Sequence, residues 1–510
     1  METFVPPERS TVDGLMVRVQ RALLVLVALS GASVAATGDA TARDGAGDRR
    51  TDSAMAIHAT SPARPPHSLR VTLRTSRTIT LRWRAPRGAK GKFTIYLNRR
   101  VVARTARTSF TYRRLRCGTR HILGVRSGRS RIAGALVRTR PCAPGAGAGG
   151  TPGRGGTVPP GSFPTDSGGT GLPARIPASS GATFYVATTG SDDNPGSAAA
   201  PWRTVGKALR SLSAGQSAVV RGGTYVEALW VDRGGTANAP ITIRAAPGEV
   251  AVIDAPGDAA LVMASGAQYL RFQGIVFESA TGPSSANVLA ENGSHHIELL
   301  GCEIRGSARQ GFYSESGTNA IHIIACNIHD NGGSGPSGLD HNVYLQGTNH
   351  LIASSLIRGA GNGYGIQIYP SSTAAIVSAS TVVGNGEGGI IVGSEGNGTT
   401  NGARIVGNIL AFNAGPGLSA FWGGIAGGDN IARGNIGWGN IGGELTGSSI
   451  AHEAPIIADP LFLNRSGGDF RVAPGSPALG AGDPSFTPAT DLAGNPRPAG
   501  SGPDVGAYER

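Results

Sequence analysis

Gly301-Cys-Glu-Ile304 returns as Ala325-Cys-Asn-Ile328, Ser354-Ser-Leu-Ile357 and Ala379-Ser-Thr-Val382, and Gly274-Ile-Val-Phe277 precedes it. Weaker copies stand at Val406-Gly-Asn-Ile409 and Arg433-Gly-Asn-Ile436. Anchored on Ile275, Cys302, Cys326, Ser355, Ser380, Gly407 and Gly434, the intervals are 27, 24, 29, 25, 27 and 27 residues. A short apolar-alternating unit that recurs at a varying period of this size, with Gly and Asn between copies, fits one coil of a right-handed parallel β-helix. The Leu-x-x-Leu-x-Leu frame of a leucine-rich repeat is absent. Glycine, 80 of 510 residues, is then explained by tight corners where the backbone turns left-handed. It falls at no strict third position, which excludes collagen, and there are no coiled-coil heptads. The fold class expected is all-β.

A second strand of each coil aligns as Gly311-Phe-Tyr-Ser-Glu315, Asn342-Val-Tyr-Leu-Gln346, Gly365-Ile-Gln-Ile-Tyr369, Gly389-Ile-Ile-Val-Gly393 and Gly417-Leu-Ser-Ala-Phe421. The apolar column Phe312, Val343, Ile366, Ile390, Leu418 points inward, so period-2 alternation sends Tyr313, Tyr344 and Gln367 outward, with Glu315, Gln346 and Tyr369 beside them. Gln310, His341 and Tyr364 lie just upstream, preceded by Arg309, Asp340, Gly363 and Glu387. Tyrosines, amides, a histidine and carboxylates on one face suit sugars, because aromatic rings stack on pyranoses while amides and acids bond hydroxyls. The alternative is a solvated polar sheet. The longest interval adjoins His341, and a lengthened loop is how a rigid solenoid builds a cleft wall. The catalytic candidates are therefore His341 as base or acid, Tyr344 as proton partner or platform, and Glu315 and Asp340 as carboxylates orienting sugar or metal. The bland reading has His341 capping a turn and Tyr344 covering an apolar edge.

A second outward column holds Glu278, Arg305, His329 and Arg358. It is either a site for a carboxylate ligand, with Arg305, His329 and Arg358 as its cations, or an ion ladder closed by Glu303. Asp330 and Asp340 flank the insertion Asn331-Gly-Gly-Ser-Gly-Pro-Ser-Gly-Leu339 and are either Ca²⁺ ligands or turn residues.

Charge divides the chain. Residues 62–142 hold 22 Arg plus Lys and no acid, whereas residues 181–510 hold 16 basic and 25 acidic residues, a net of −9. At the start, Met16-Val-Arg-Val-Gln-Arg21, the apolar run Ala22–Leu29 and Ser33-Val-Ala35 describe a secretory leader over residues 1–35, with Met16 as a second candidate start. The run is too short for a membrane span, so the mature protein is expected outside the cell and not membrane-spanning. Residues 36–62 are expected to be disordered, and 63–142 to form a small antiparallel β-sandwich from runs such as Leu69–Leu73, Thr78–Trp83, Phe93–Leu97 and His121–Val125. Cys117 and Cys142 are the candidate disulfide, in keeping with export. Cys302 and Cys326 read as stacked buried thiols, and no cysteine spacing fits zinc. Residues 143–180, with 11 Gly and 7 Pro, read as a flexible tether, and 181–510 as the solenoid.

Tyr185-Val-Ala-Thr-Thr-Gly-Ser-Asp-Asp-Asn-Pro-Gly196, Pro201–Leu209 and Val220–Tyr225 resemble the opening of secreted parallel β-helix proteins of the pectate-lyase-like group. The resemblance implies an N-terminal helix that caps the coil. Asp491-Leu-Ala-Gly-Asn-Pro-Arg-Pro498 and Pro503-Asp-Val-Gly-Ala-Tyr-Glu509 look like the group's closing tail. Family-nine pectate lyases, which residues 182–510 resemble, use a lysine base on the central coils. Beyond the linker this chain has one lysine, Lys207, in the expected cap helix. The basic segment resembles a fibronectin type III domain, with Trp83 and Tyr96 as its core aromatics and His121 where a tyrosine is usual.

Three functions fit these residues. One is a lyase of uronate-containing polysaccharide with His341, Tyr344 or an arginine as base and Ca²⁺ or Arg facing the carboxylate. Another is a glycoside hydrolase using Glu315 and Asp340, and the third is a noncatalytic matrix protein that binds carbohydrate. All three make extracellular polysaccharide the partner and are compatible with a monomer. The acidic solenoid disfavours a strongly polyanionic substrate unless a metal intervenes. The basic module is expected to hold anionic cell-wall polymer; nucleic acid is not a physiological partner outside the cell. The isolated 63–142 segment should therefore be retained on polyanionic matrices and released by salt. Retention indifferent to salt, or none, would remove that role.

Overall fold

The computed structural model describes residues 67–138, apart from 76, 87–91, 98–99, 114, 116–119 and 128–132, and residues 169–510, apart from 279–285, 334–338, 396–398 and 421–426. The expected leader, the 36–62 segment, the Cys117–Cys142 bridge and most of the 143–180 tether lie outside the described residues. The chain divides into two units, 1–146 and 147–510.

In the first unit, alternating residues pack β1 (His67–Arg74), β2 (Ile79–Arg84) and β5 (Ser109–Tyr112) into one antiparallel sheet. β3 (Phe93–Leu97), β4 (Arg100–Thr105), β6 (Arg120–Ser127) and β7 (Ala133–Arg138) form another, in the order β4-β3-β6-β7. Ile79, Leu81, Trp83, Phe93, Ile95, Leu123 and Val125 make its core. Trp83 stands edge-on to Phe93, with ring centroids 5.4 Å apart. Tyr96 is buried as expected, and its carbonyl accepts from the Tyr112 hydroxyl at 3.1 Å, a tyrosine bond that the sequence did not announce.

The second unit is a parallel β-helix with three faces. Among the described residues the first face carries ten parallel strands, from Gly223–Val226 to Ile456–Ile457. The second runs from Leu229–Val231 through Gln310–Ser314, Val343–Thr348 and Tyr364–Thr373 to Leu418–Ala420, and the third from Thr183–Val186 to Ala451–Glu453. Inward side chains stack coil on coil. Ile253, Phe277, Ile304, Ile328, Ile357 and Val382 form one such column and are fully buried.

Corners make the stacking possible. Between the third and first faces a single residue turns left-handed in each coil: Gly274, Gly301, Ala325, Ser354, Ala379, Gly407, Gly434 and Ala454, with φ between 44° and 67°. This corrects the repeat anchors in the last coils. Thr381 pairs with Ile409 and Ile409 with Ile436, so the partners of Ser380 are Asn408 and Asn435, one position beyond Gly407 and Gly434. The slip arose because Ala379 holds the corner that glycine takes in the later copies. Just past this corner, side chains satisfy the preceding coil's backbone: Ser355 Oγ accepts from Cys326 N–H at 3.1 Å and Asn408 Oδ1 from Ser380 N–H at 2.9 Å. Cys302 and Cys326 are buried free thiols in this column. At the corner between the first and second faces, Asn331, Asn342, Asn385, Asn413 and Asn440 are buried and joined amide to amide at 2.9–3.0 Å.

The N-terminal end and one flank are covered. Helix α1 (Val205–Ser211) buries Val205, Ala208 and Leu209 as the expected cap, and Thr204 Oγ1 accepts from Lys207 N–H at 3.0 Å. In the closing tail, buried Asp491 accepts from Ala493, Asn495 and Glu509 N–H groups, Arg497 donates to the Asp504 and Gly506 carbonyls, and Glu509 accepts from Ala499 and Asp504. That motif is a structural clasp. Residues 169–180 correct the tether's extent, because they pack on the solenoid. Glu298, fully buried on the third face, takes Arg175 at 2.6 Å, Arg271 at 2.7 Å and the Ile176 N–H at 3.1 Å. Among the described residues no helix is long and apolar enough to cross a membrane.

Burial alone would raise the Glu298 pKa, but Arg175 and Arg271 outweigh it and hold it below the usual value. A depressed carboxylate contributes stability that is present above its unfolded value, near 4.5, and lost as pH falls through the folded one. Glu298→Gln strands two buried guanidinium groups and should cost roughly 3–5 kcal/mol at neutral pH. In denaturant titrations the gap between variant and wild type should shrink below about pH 4.5. A gap independent of pH would mean that the charge contributes nothing.

Candidate active site

The second face assembles its side chains as alternation dictates. Phe312, Val343, Ile366, Ile390 and Leu418 pair in succession and are fully buried. Tyr313 pairs with Tyr344 and Tyr344 with Gln367, one outward column over three coils. Outward does not mean exposed. Tyr313 is 7%, Gln367 5%, Tyr364 8%, Tyr369 9% and Gln346 6% exposed, whereas Tyr344 is half-buried. The expectation of freely exposed tyrosines is corrected: the rings lean along the column and shield one another. Tyr313 and Tyr344 have centroids 5.0 Å apart at 37°. Gln346 Nε2 donates to the Tyr313 hydroxyl at 3.0 Å, and Gln346 and Gln367 both bond the Tyr344 hydroxyl. Gln310 Oε1 and Gln367 Oε1 are buried without a donor. An unmet buried oxygen costs about 1–3 kcal/mol, so a hydroxyl-rich ligand gains by supplying one.

His341 is 1% exposed, which corrects its placement as an outward acid or base. Its Nδ1 accepts from the Tyr364 N–H at 3.0 Å, leaving the ring proton on Nε2. The ring stands edge-on to Tyr344 at 5.6 Å and tilted to Tyr364 at 5.9 Å. Burial pushes its pKa down to about 3, so it stays neutral and holds the start of the Tyr364 strand. Asp340 is fully buried, with Arg309 Nε 2.8 Å from Oδ1, and is likewise sealed from ligand. Glu315 is half-buried at the other edge, where it accepts from Asn292 N–H at 2.9 Å. The structure therefore does not bring Glu315 and Asp340 together as accessible hydrolase carboxylates.

Arg305, His329 and Arg358 lie on the first face, apart from the tyrosines. Arg305 pairs with Glu278 at 2.9 Å and Glu303 at 2.7 Å, His329 with Glu303 at 3.0 Å and Asp330 at 3.1 Å, and Arg358 approaches Asp330 at 4.0 Å. Burial raises the Glu303 pKa, but His329 and Arg305 outweigh it and draw it down to about 2. The column is a self-neutralised ladder. Asp330 and Asp340 enter different ion pairs, and among the described residues no three His, Cys, Asp or Glu could hold a metal ion.

Sequence reasoning missed Glu395, whose carboxylate accepts from the Tyr369 hydroxyl. It follows Gly393-Ser394, where alternation ends, and only the return of that loop over Tyr369 reveals it. Burial, then the Glu395 bond, raises the Tyr369 pKa. Burial also raises the Tyr344 hydroxyl and pushes Tyr364 up to about 12, with Glu387 adding to the latter.

Residues 184–442 match the family described as Pel9A-like, right-handed β-helix region. The chain belongs to this family. Among curated proteins it is similar to the uncharacterized protein YwoF of Bacillus subtilis, 29% identical over 133 residues, which cover 24% of this chain and 28% of that protein. It is also 39% identical to the pectate lyase PEL9 of Emericella nidulans over 75 residues, 14% of this chain and 18% of that one. Both matches span well under two thirds of the relatives' lengths. Among solved structures, that of pectate lyase Pel9A aligns with a TM-score of 0.47 and 17% identity, covering 65% of this chain and 97% of that one. A rhamnogalacturonan lyase aligns with a TM-score of 0.44 and 15% identity over 57% of this chain and 95% of that one. The one lysine of the β-helix unit of this family member, Lys207, sits in the cap helix, so no lysine stands on the coils that carry Tyr313 and Tyr344.

Separate substitutions divide structure from chemistry. His341→Ala removes the acceptor of a buried N–H and should lower stability by about 1–3 kcal/mol. Tyr344→Phe removes the hydroxyl that Gln346 and Gln367 bond and should lower stability by about 1 kcal/mol, while abolishing turnover or weakening ligand binding. A stable, inactive His341→Ala protein would return the histidine to the chemistry.

Proposed function

We propose that this protein is an extracellular carbohydrate-active enzyme that holds a polysaccharide on the second face of its β-helix and cleaves it by elimination. The observation that carries this reading is the outward column Tyr313, Tyr344, Gln367, flanked by amides with unmet oxygens. Half-shielded aromatic faces take pyranose rings and the amides take hydroxyls. Membership of the Pel9A-like family, and the pectate lyase among the curated relatives, support a polysaccharide as the substrate class.

Elimination next to a uronate carboxylate needs a base for the carbon-bound proton and an acid for the leaving oxygen. Glu395, bonded by Tyr369, is the base: the Tyr369 hydroxyl passes its proton to the carboxylate as the phenolic oxygen accepts the one from C5. The C4–oxygen bond breaks, a C4–C5 double bond forms, and neutral Tyr344 protonates the departing oxygen. Return of the proton from Glu395 to Tyr344 through solvent restores both groups. Arg309, at the head of the Tyr313 strand and about a third exposed, is the cation for the uronate carboxylate. A single arginine, already shared with Asp340, suits a polymer in which uronates are sparse. The basic module would retain the enzyme on anionic wall polymer.

A panel of uronate polysaccharides, followed by absorbance of unsaturated ends, tests this. Pectic polymers with alternating neutral sugars should give new absorbance that Tyr344→Phe and Glu395→Gln each reduce at least a hundredfold. New reducing ends without absorbance would assign hydrolysis instead, and retention without cleavage would leave binding alone.

A further inference from the structure

The column that carries Tyr313 and Tyr344 continues toward the N-terminal cap. Leu289 pairs with Tyr313, Val262 with Leu289 and Trp230 with Val262. Leu289 and Val262 are half-buried, and Trp230 is 58% exposed. Its neighbours Leu229 and Val231 are each 2% exposed and serve the core, so the indole itself covers nothing inside. In line with Val262, Leu289 and Tyr313, the exposed indole extends one outward row with a large flat apolar face that carries a polar N–H, the kind of side chain enriched at contact surfaces.

We propose that Trp230 is a distal sugar platform of the same groove, and that the polysaccharide lies along the coil axis rather than across it. This deepens the reading of the second face and rests on it. Trp230 and Tyr344 are four coils apart, roughly 19 Å at the ~4.8 Å strand spacing, with an unbroken apolar floor of Val262, Leu289 and Tyr313 between them. Pyranose rings present an apolar face that stacks on indole, while their hydroxyls stay in water. A flat platform that far from the proton-transfer groups cannot touch a short oligosaccharide held at Tyr344. It therefore adds affinity for long chains alone.

Calorimetric titration with short and long oligosaccharides of a pectic polymer in which uronates alternate with neutral sugars, and with xylo-oligosaccharides as the uncharged arm, tests the platform. Wild type should bind long chains more tightly than short ones. Trp230→Ala should bind short chains as wild type does and lose about tenfold on long ones, and Trp230→Phe should recover most of it. Unchanged affinity for long chains, or an equal loss on short chains, overturns the platform while leaving the reading of Tyr344 in place. A change of oligomeric state in Trp230→Ala with sugar binding intact assigns the indole to a protein contact instead. Absence of binding by wild type at every length removes both the platform and the reading beneath it.

Discussion

Every coil of this β-helix must bring its chain back to the same three positions, because each strand is hydrogen-bonded to the coils before and after it. That constraint holds the left-handed corners in place. Ala325, Ser354 and Ala379 adopt positive φ at a cost of order 1–3 kcal/mol each, which two stacked neighbours can impose and an isolated turn could not. The buried Asn331-to-Asn440 ladder follows from the same constraint. An asparagine inside the corner is tolerable only when the next coil supplies the partner for its amide, so the ladder rewards correct registration and penalises slippage.

With the coils locked, the remaining liability is where the stack stops or its flank lies open. Helix α1 closes one end, and two straps finish the flank: Arg175 and Ile176 close over Glu298, and the tail lays Leu492, Ala507 and Tyr508 against Leu300, Ile324 and Leu356. The acids and the arginine of the tail are consumed by backbone N–H and carbonyl groups of the tail itself. A motif rich in Asp, Glu and Arg, which on composition alone could pass for chemistry, is explained by the need to end a solenoid.

The same locking makes two outward columns behave differently. On the first face, Arg305, His329 and Arg358 occupy matching positions in three successive coils, and Glu278, Glu303 and Asp330 around them cancel the charge. On the second face the matching positions hold tyrosines and glutamines, whose hydrogen-bonding capacity does not cancel. Buried Gln310 and Gln367 oxygens remain without donors, and the Tyr369–Glu395 pair stands at the border. Unmet polarity beside aromatic surface is what separates a binding face from a merely polar one.

Periodicity made the solenoid legible, since each coil repeats one apolar alternation and stacking forces equivalent positions together. The columns Phe312–Leu418 and Tyr313–Gln367 and the stacked thiols of Cys302 and Cys326 could all be read this way, whereas the cap around Val205 came from the resemblance to other β-helix proteins. Period alone says which way a side chain points and not what then lies over it. Asp340, outward by count, is buried because Arg309 closes on it, and His341, which shares the parity of inward Val343, is buried against the neighbouring coil's Tyr364 backbone. Asp330 and Asp340, ten positions apart around an insertion, part into separate ion pairs. Glu395 joins Tyr369 through a loop whose path follows no repeat, and Arg175 reaches Glu298 from a stretch whose glycines and prolines resemble a tether. Direction was set by local alternation, and accessibility by segments distant in sequence that only the folded chain brings together.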